Sequence, residues 1–267
     1  RARSEGSEPS EERGEHSRMP METVAQERTV SVSSPADFDV TRAFTFFFQD
    51  RNWIPKLAIG TLFVFLTPFI IGAIVTAGYA VSLARRTREN QDPLLPEWDD
   101  LQEIFFDGLR GLAVSLAHKL PLILLGALMA LALVGGVFLG RAEGTVPEEF
   151  MFLGLPALFG GSVVVLVLAL AVLVYVPAAM VRLVQTDRVV AAFDVMANVD
   201  FIRSILPTYA LGVLAIVLSS FIAQLGFLVF CVGIFPASFW SVCVMGYVIG
   251  ELAKLPEGRP GGREIAG

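Results

Sequence analysis

Residues Leu57 to Ala84 read LAIGTLFVFLTPFIIGAIVTAGYAVSLA, 28 positions without an Asp, Glu, Lys or Arg. A bilayer core of about 30 Å is crossed by roughly 20 helical residues at about 1.5 Å each, so a run of this length is a spanning candidate. Three more charge-free runs follow, at Leu120 to Gly140, Phe150 to Val181 and Ser204 to Gly250. The second and third runs each fit one crossing. The fourth, 47 residues and about 70 Å as one helix, suits two crossings divided near Gly233 to Pro236 (GIFP), because Gly and Pro mark breaks.

The first run has two readings: one tilted helix, or two short arms of a re-entrant hairpin broken at Thr67-Pro68. The flanking charge favours the hairpin. Arg85, Arg86, Arg88, Arg110 and Lys119 lie between runs one and two; Arg182, Arg188 and Arg203 lie between three and four; Lys254, Arg259 and Arg263 follow the last. The connection Arg141 to Glu149 carries one Arg and three Glu. The positive-inside rule puts this acidic connection outside and the basic regions inside. Arg42, Arg51 and Lys56 precede run one, and they stay inside with the others if that run turns back. Both termini are therefore expected on the cytoplasmic face of the cell membrane.

Composition agrees with a chain built for lipid. Of 267 residues, 54% are apolar and 17% charged, with a mean hydropathy of +0.65, where soluble domains run near 45–50% and about 25%. The net charge is −6, and a charged share of 17% is too little polar surface for a soluble enzyme of this length and too few charges for a nucleic-acid binder, whose footprint is a basic patch. The chain opens on Arg1, as a processed or trimmed product would, and nothing near it has the order of a signal peptide. Residues 1–36 are rich in Ser, Glu, Arg and Pro without apolar periodicity, a disordered polar tail. Cys231 and Cys243 both lie in the last apolar run, where a thiol behaves as a small hydrophobe.

Three times an amphipathic segment precedes a proline and then apolar sequence: Phe38 to Phe48 before Pro55, Trp98 to Arg110 before Pro121, and Val189 to Arg203 before Pro207. In the middle segment Trp98, Leu101, Ile104, Phe105, Leu109 and Leu112 share one helical face, and Asp99, Asp100, Glu103, Asp107 and Arg110 the other. Such helices lie along a membrane surface. The expected fold is an all-α integral membrane bundle of about four full transmembrane helices plus one re-entrant or kinked apolar hairpin, with amphipathic surface helices. The helical domain covers 37–254, with apolar segments near 54–84, 113–140, 150–181, 207–232 and 235–254 and surface helices near 38–50, 98–110 and 188–204; residues 255–267 form a flexible tail. The chain reads as three units of surface helix plus apolar hairpin.

Two passages carry a family likeness. One is Phe46 to Pro68, FFFQDRNWIPKLAIGTLFVFLTP, with Asp50, Asn52 and Trp53 ahead of an apolar run that ends near Gly78-Tyr79; the other is Leu95 to Gly108, LPEWDDLQEIFFDG, with Pro96, Glu97, Trp98, Asp99 and Asp100 followed by Asp107-Gly108. Together, from about Phe44 to the chain end, they resemble an uncharacterised prokaryotic membrane-protein family, the domain of unknown function numbered four thousand and thirteen. The resemblance implies a multi-span membrane protein and carries over no catalytic residue.

Few residues offer chemistry. Glu97, Asp99, Asp100, Glu103 and Asp107 could hold a divalent cation, but carboxylates at a helix start favour its positive dipole end and the rest suit a solvated face, so no metal is expected. His118 and Lys119 form a candidate pore mouth, or more simply a snorkelling interface pair. Ser219, Ser220 and Gln224 fall on one helix as a candidate polar face, for packing or for a solute path. Gly136, Gly140, Gly160 and Gly161 give small faces for close packing of the second and third runs. Trp53, Trp98, Tyr79 and Tyr209 suit an aromatic belt. Hydrolase and nucleotide-binding motifs are missing, and so are intramembrane charges of the kind coupled pumps use. The expectation is a non-enzymatic scaffold or accessory subunit without cofactor, whose partners are the lipid bilayer and other membrane-protein subunits and not nucleic acid. The alternative is a channel or facilitator for a small solute.

Overall fold

The computed structural model describes residues 38–92, 94–143, 150–228 and 232–255. The polar tail, Cys231, residues 144–149 of the acidic connection and the C-terminal segment after Leu255 lie outside the described residues. All regular structure among the described residues is helical.

Helix α1, Val40–Thr45, starts where the Asp39 carboxylate accepts the Arg42 N–H at 3.0 Å, and it runs into a 3-10 turn at Phe46–Gln49. Helix α2, Trp53–Phe65, and helix α3, Ile71–Arg88, are the two arms of the first apolar run. Between them a 3-10 turn at Thr67–Phe69 holds Pro68 in its first positions, and Ile70 takes φ 63°, a left-handed conformation that β-branched residues rarely adopt. The break falls at Thr67-Pro68, where the hairpin alternative puts it rather than the single tilted helix.

Helix α4 spans Leu101–Glu143 without interruption. The amphipathic segment near 98–110 is therefore not a separate surface helix but the opening turns of a helix about 64 Å long. Asp100 caps its start, accepting the Glu103 N–H at 3.0 Å in the spacing of a capping box. Pro121 sits inside α4 and does not end it; apolar membrane helices tolerate proline because neighbouring groups re-satisfy the freed backbone.

A wide helical turn at Phe150–Gly154 leads into helix α5, Leu155–Thr186, which ends where Asp187 turns left-handed at φ 55°. Helix α6, Val195–Ser204, is capped by Asp194, which accepts the Ala197 N–H at 3.0 Å. After a break at Ile205 comes helix α7, Leu206–Leu225, with Pro207 in its first turn, then helix α8, Ile234–Ala253. Gly233 lies in the turn that precedes α8, and Pro236 is already inside α8, where proline suits a first turn.

The helices pair as three hairpins. Ring contacts fix the first against α8: Phe65 lies 5.3 Å from Phe235 near one end, while Phe46 stacks on Tyr247 at 4.5 Å nearer the other. Gly246 of α8 meets Ala80 of α3 and Gly250 meets Ala84, so α3 runs with α8 while α2 runs against it. In the second hairpin Met129 of α4 meets Gly161 of α5, and His118 meets Tyr175. In the third Ser219 of α7 meets Ser241 of α8, and Gly212 meets Val248. The α2–α3 tip thus reaches the level at which α8 begins.

This is an all-α membrane bundle. Among the described residues four helical stretches, Leu101–Phe138, Leu155–Thr186, Leu206–Leu228 and Ile234–Ala253, are long and apolar enough to cross a membrane, and α2 is a shorter apolar helix. The C-terminal ends of α3, α5 and α8 gather at one charged end. There Gln185 donates to the carbonyls of Ala253 and Leu255, both at 3.3 Å, and Arg88 donates to the carbonyl of Val184 at 2.9 Å. Burial concentrates towards that end. The buried residues of α5 lie between Pro177 and Val184, and in α8 burial is continuous from Tyr247 to Gly250.

Candidate functional site

The two sequence passages with a family likeness meet in space at the charged end. Asp50 sits in the turn before α2, where its Oδ1 accepts the Asn52 N–H at 2.7 Å. Its Oδ2 faces Lys56 one turn into α2, with the lysine Nζ donating at 2.8 Å. The same ammonium donates to the Leu95 carbonyl at 3.0 Å and lies 2.7 Å from Glu97 Oε1. Lys56 is only 2% exposed, and these three acceptors use all three of its protons. A buried ammonium in this setting needs such company, because desolvation is costly unless the charge is paired and hydrogen-bonded.

One layer deeper, the Tyr79 hydroxyl of α3 donates to the Pro96 carbonyl at 3.1 Å. Its ring stacks on Trp98 at 4.6 Å, and Trp98 in turn stacks on Phe63 of α2 at 5.4 Å. Tyr79 is fully buried and so is Tyr209, whose hydroxyl donates to the Val174 carbonyl. Neither belongs to an aromatic belt at the membrane boundary. Their rings fill the core, and each hydroxyl is satisfied by a backbone carbonyl of a neighbouring segment.

Gly78 and Gly108 complete the joint. A methyl group on Gly78 would stand 1.8 Å from the Ile104 carbonyl oxygen, and one on Gly108 would stand 1.9 Å from that of Ile74. Helices α3 and α4 therefore cross backbone against backbone, which only glycine allows. Beside the crossing Asp107 is 2% exposed and binds Arg85 at 2.5 Å; Arg85 also reaches Asp187 at 2.5 Å. This corrects the placing of Asp107 on a solvated face. The buried face of α4 is Ile104, Asp107, Gly108, Gly111 and Val114, whereas Leu101 and Leu109 are exposed.

Around the joint lies a polar basin of about 600 Å³. Its walls come from the end of α1 and the following turns (Arg42, Phe46, Arg51), the segment before α4 (Asn90, Asp92, Glu97) and the end of α8 (Glu251, Lys254). Lys254 donates to Asn90 Oδ1 and to Glu251 Oε1, both at 2.8 Å.

A family model described as protein of unknown function (DUF4013) matches residues 61–233, which cover the Gly78–Gly108 crossing and the whole LPEWDD passage. The chain belongs to the DUF4013 family. No curated protein and no solved structure matches the chain. The family match begins inside the first passage, so Asp50, Asn52, Trp53 and Lys56 stand just before it, and it ends at the start of α8.

The remaining candidates of this DUF4013 chain are scattered. The carboxylates after Pro96 do not converge: Glu97 goes to Lys56, Asp100 to the helix cap and Asp107 to Arg85, and among the described residues no three metal-ligating groups come together. His118 Nδ1–H donates to the Val114 carbonyl at 2.8 Å and the ring stacks on Phe193 at 4.9 Å, while Lys119 beside it is exposed. Ser219 and Ser220 both bond to Ser241, at 3.1 and 3.4 Å, so they join α7 to α8; Gln224 is exposed and apart from them. Gly161 packs on Met129, and Gly136 is buried beside an apolar cavity of about 430 Å³ between α4 and α5. Gly140 lies near the end of α4, and Gly160 has nothing within 4 Å.

Sequence reading missed Lys56 as the centre of the joint. The available signal was a lysine opening an otherwise charge-free helix, with a carboxylate six residues before it.

Proposed function

We propose that this DUF4013 protein is a non-enzymatic scaffold or accessory subunit of an assembly in the cytoplasmic membrane, with both termini inside. The observation that supports this reading is the bareness of the α4–α5 hairpin. Helix α5 is about 48 Å long against about 30 Å for α8, and away from the charged end the large side chains of the hairpin meet little else of this chain: Leu131 and Phe138 of α4 and Phe159 of α5 are 70, 73 and 75% exposed. Gly126 of α4 and Gly160 of α5 sit on those faces with nothing within 4 Å. Each glycine weakens a helix by about 1 kcal/mol relative to alanine. In lipid, where there is no hydrophobic drive between helices, small residues make close backbone contact with another helix favourable.

The channel reading has less support. The serines of its expected polar face are spent on a bond between α7 and α8, and His118 stacks on Phe193 and tilts against Tyr175.

Purification in mild detergent tests the proposal. A second membrane protein should elute with the chain, and Gly126→Leu with Gly160→Leu should release it while leaving the chain folded. A chain that purifies alone and confers solute flux on liposomes would contradict the subunit reading and support the channel.

A further inference from the structure

The basin at the charged end carries an unbalanced arrangement of charge. Of its carboxylates, Asp50 and Glu97 are held by Lys56 and Glu251 by Lys254. Arg42, Arg51 and Asp92 line the same basin, are exposed, and form no ion pair among the described residues. Two guanidinium forks and one carboxylate therefore face the open volume without a partner. An arginine fork matches the oxygens of a phosphate in a bidentate way, and two forks lining one basin suit one phosphate group. The other charges oppose a purely anionic guest: Asp92 is unpaired, and Lys56 serves two carboxylates with one positive charge. The walls carry three positive and four negative side chains, and the buried Lys56 behind them brings the set to neutral, which suits a guest bearing both signs.

Apolar surface begins next to Arg51. Phe48 and Ile54 on either side of it are 52 and 62% exposed, and Ile54, Ala58, Leu62 and Phe65 continue as an exposed face at helical spacing down α2. A lipid with its headgroup in the basin would find this face beside its acyl chains. The volume of about 600 Å³ falls within the roughly 300–1,000 Å³ of small-molecule sites.

We infer that the basin binds a zwitterionic phosphate headgroup of the phosphoethanolamine type, its phosphate held by Arg42 and Arg51 and its ammonium by Asp92. The chemistry is shared by a membrane phospholipid and by a soluble phosphate ester. The site is independent of the α4–α5 face on which the subunit reading rests.

The test titrates the detergent-purified full chain with dihexanoyl phosphatidylethanolamine, dihexanoyl phosphatidylglycerol and O-phosphoethanolamine, read by native mass spectrometry. The ethanolamine lipid should bind saturably and at least about tenfold more tightly than the glycerol lipid. Arg42→Gln with Arg51→Gln should weaken it at least about tenfold, Asp92→Asn should abolish the preference, and Arg188→Gln, an exposed arginine outside the basin, should change nothing. Equal binding of O-phosphoethanolamine supports the site and puts its natural ligand in solution; binding of the lipid alone supports the site and puts the ligand in the bilayer. Absence of saturable binding by both ethanolamine probes, equal or tighter binding of the glycerol lipid, or undiminished binding by the double variant overturns the proposal.

Discussion

The ammonium of Lys56 on α2 lies 2.7 Å from the Glu97 carboxylate, on the segment that leads into α4. This contact joins the first hairpin to the second and makes a buried charge into a structural tie. Replacing Lys56 with Met should cost about 3–5 kcal/mol, because Asp50 and Glu97 would be left without their counter-charge. Thermal unfolding of the purified chain in detergent measures it. Adding Asp50→Asn to Lys56→Met should recover part of the loss; a single variant as stable as the parent would show that the tie is unimportant.

The Gly78–Gly108 crossing gives a second prediction. Alanine at either position puts a methyl group within 2 Å of a carbonyl oxygen of the facing helix. Helices α3 and α4 would have to part, and overpacking of this kind costs about 1–3 kcal/mol. Gly126→Ala, by contrast, meets nothing within 4 Å and should stabilise the isolated chain by up to about 1 kcal/mol. The same thermal assay separates them, and similar losses for all three would refute the close crossing.

Asp107 and Asp187 both bind Arg85, yet their burial differs, at 2% and 65% side-chain exposure. Asp107→Ala leaves a partly buried guanidinium short of its counter-charge and should destabilise by several kcal/mol, about 3–5 at most. Asp187→Ala removes an exposed partner and should change stability by no more than about 1 kcal/mol. The reverse order in melting temperature would contradict the assigned burial.

Ser241 links α7 to α8 through both Ser219 and Ser220. Ser241→Ala should cost only about 0.6–2 kcal/mol, the usual value of hydrogen bonds between membrane helices. Gln224→Ala, at an exposed position, should fall below that range. A larger effect for Gln224 on folding would show that the polar face acts as one unit.

These predictions rest on parts of the molecule that differ in how readable they were. The charge-free runs and the break at Thr67-Pro68 follow from hydropathy and proline chemistry, which are local, so the sequence displays them directly. The continuity of α4 through Pro121 was hidden because proline ends helices in water but is tolerated among membrane helices. Asp107 was misplaced for another reason. Amphipathic patterning assigns a carboxylate to the wet face, and only the arrival of Arg85 from α3 reverses that. The Lys56 joint draws on Asp50, Leu95 and Glu97, two of them on another segment, so no window of sequence contains it. Glycine told a similar story: Gly78 and Gly108 matter because of what lies opposite them, while Gly160 of the expected packing set faces nothing in this chain.

The arrangement of three hairpins with their open ends together is most directly tested by cysteine labelling with an impermeant reagent on intact cells, in a background with Cys231 and Cys243 replaced. Single cysteines at Asn52, Gln91 and Arg188, all at the charged end, should stay unlabelled until the membrane is opened, whereas one at Phe227, between α7 and α8, should label from outside. Labelling of Asn52 from the side opposite Gln91 would show that α2 and α3 do not turn back together, and would contradict the fold on which the joint and its basin depend.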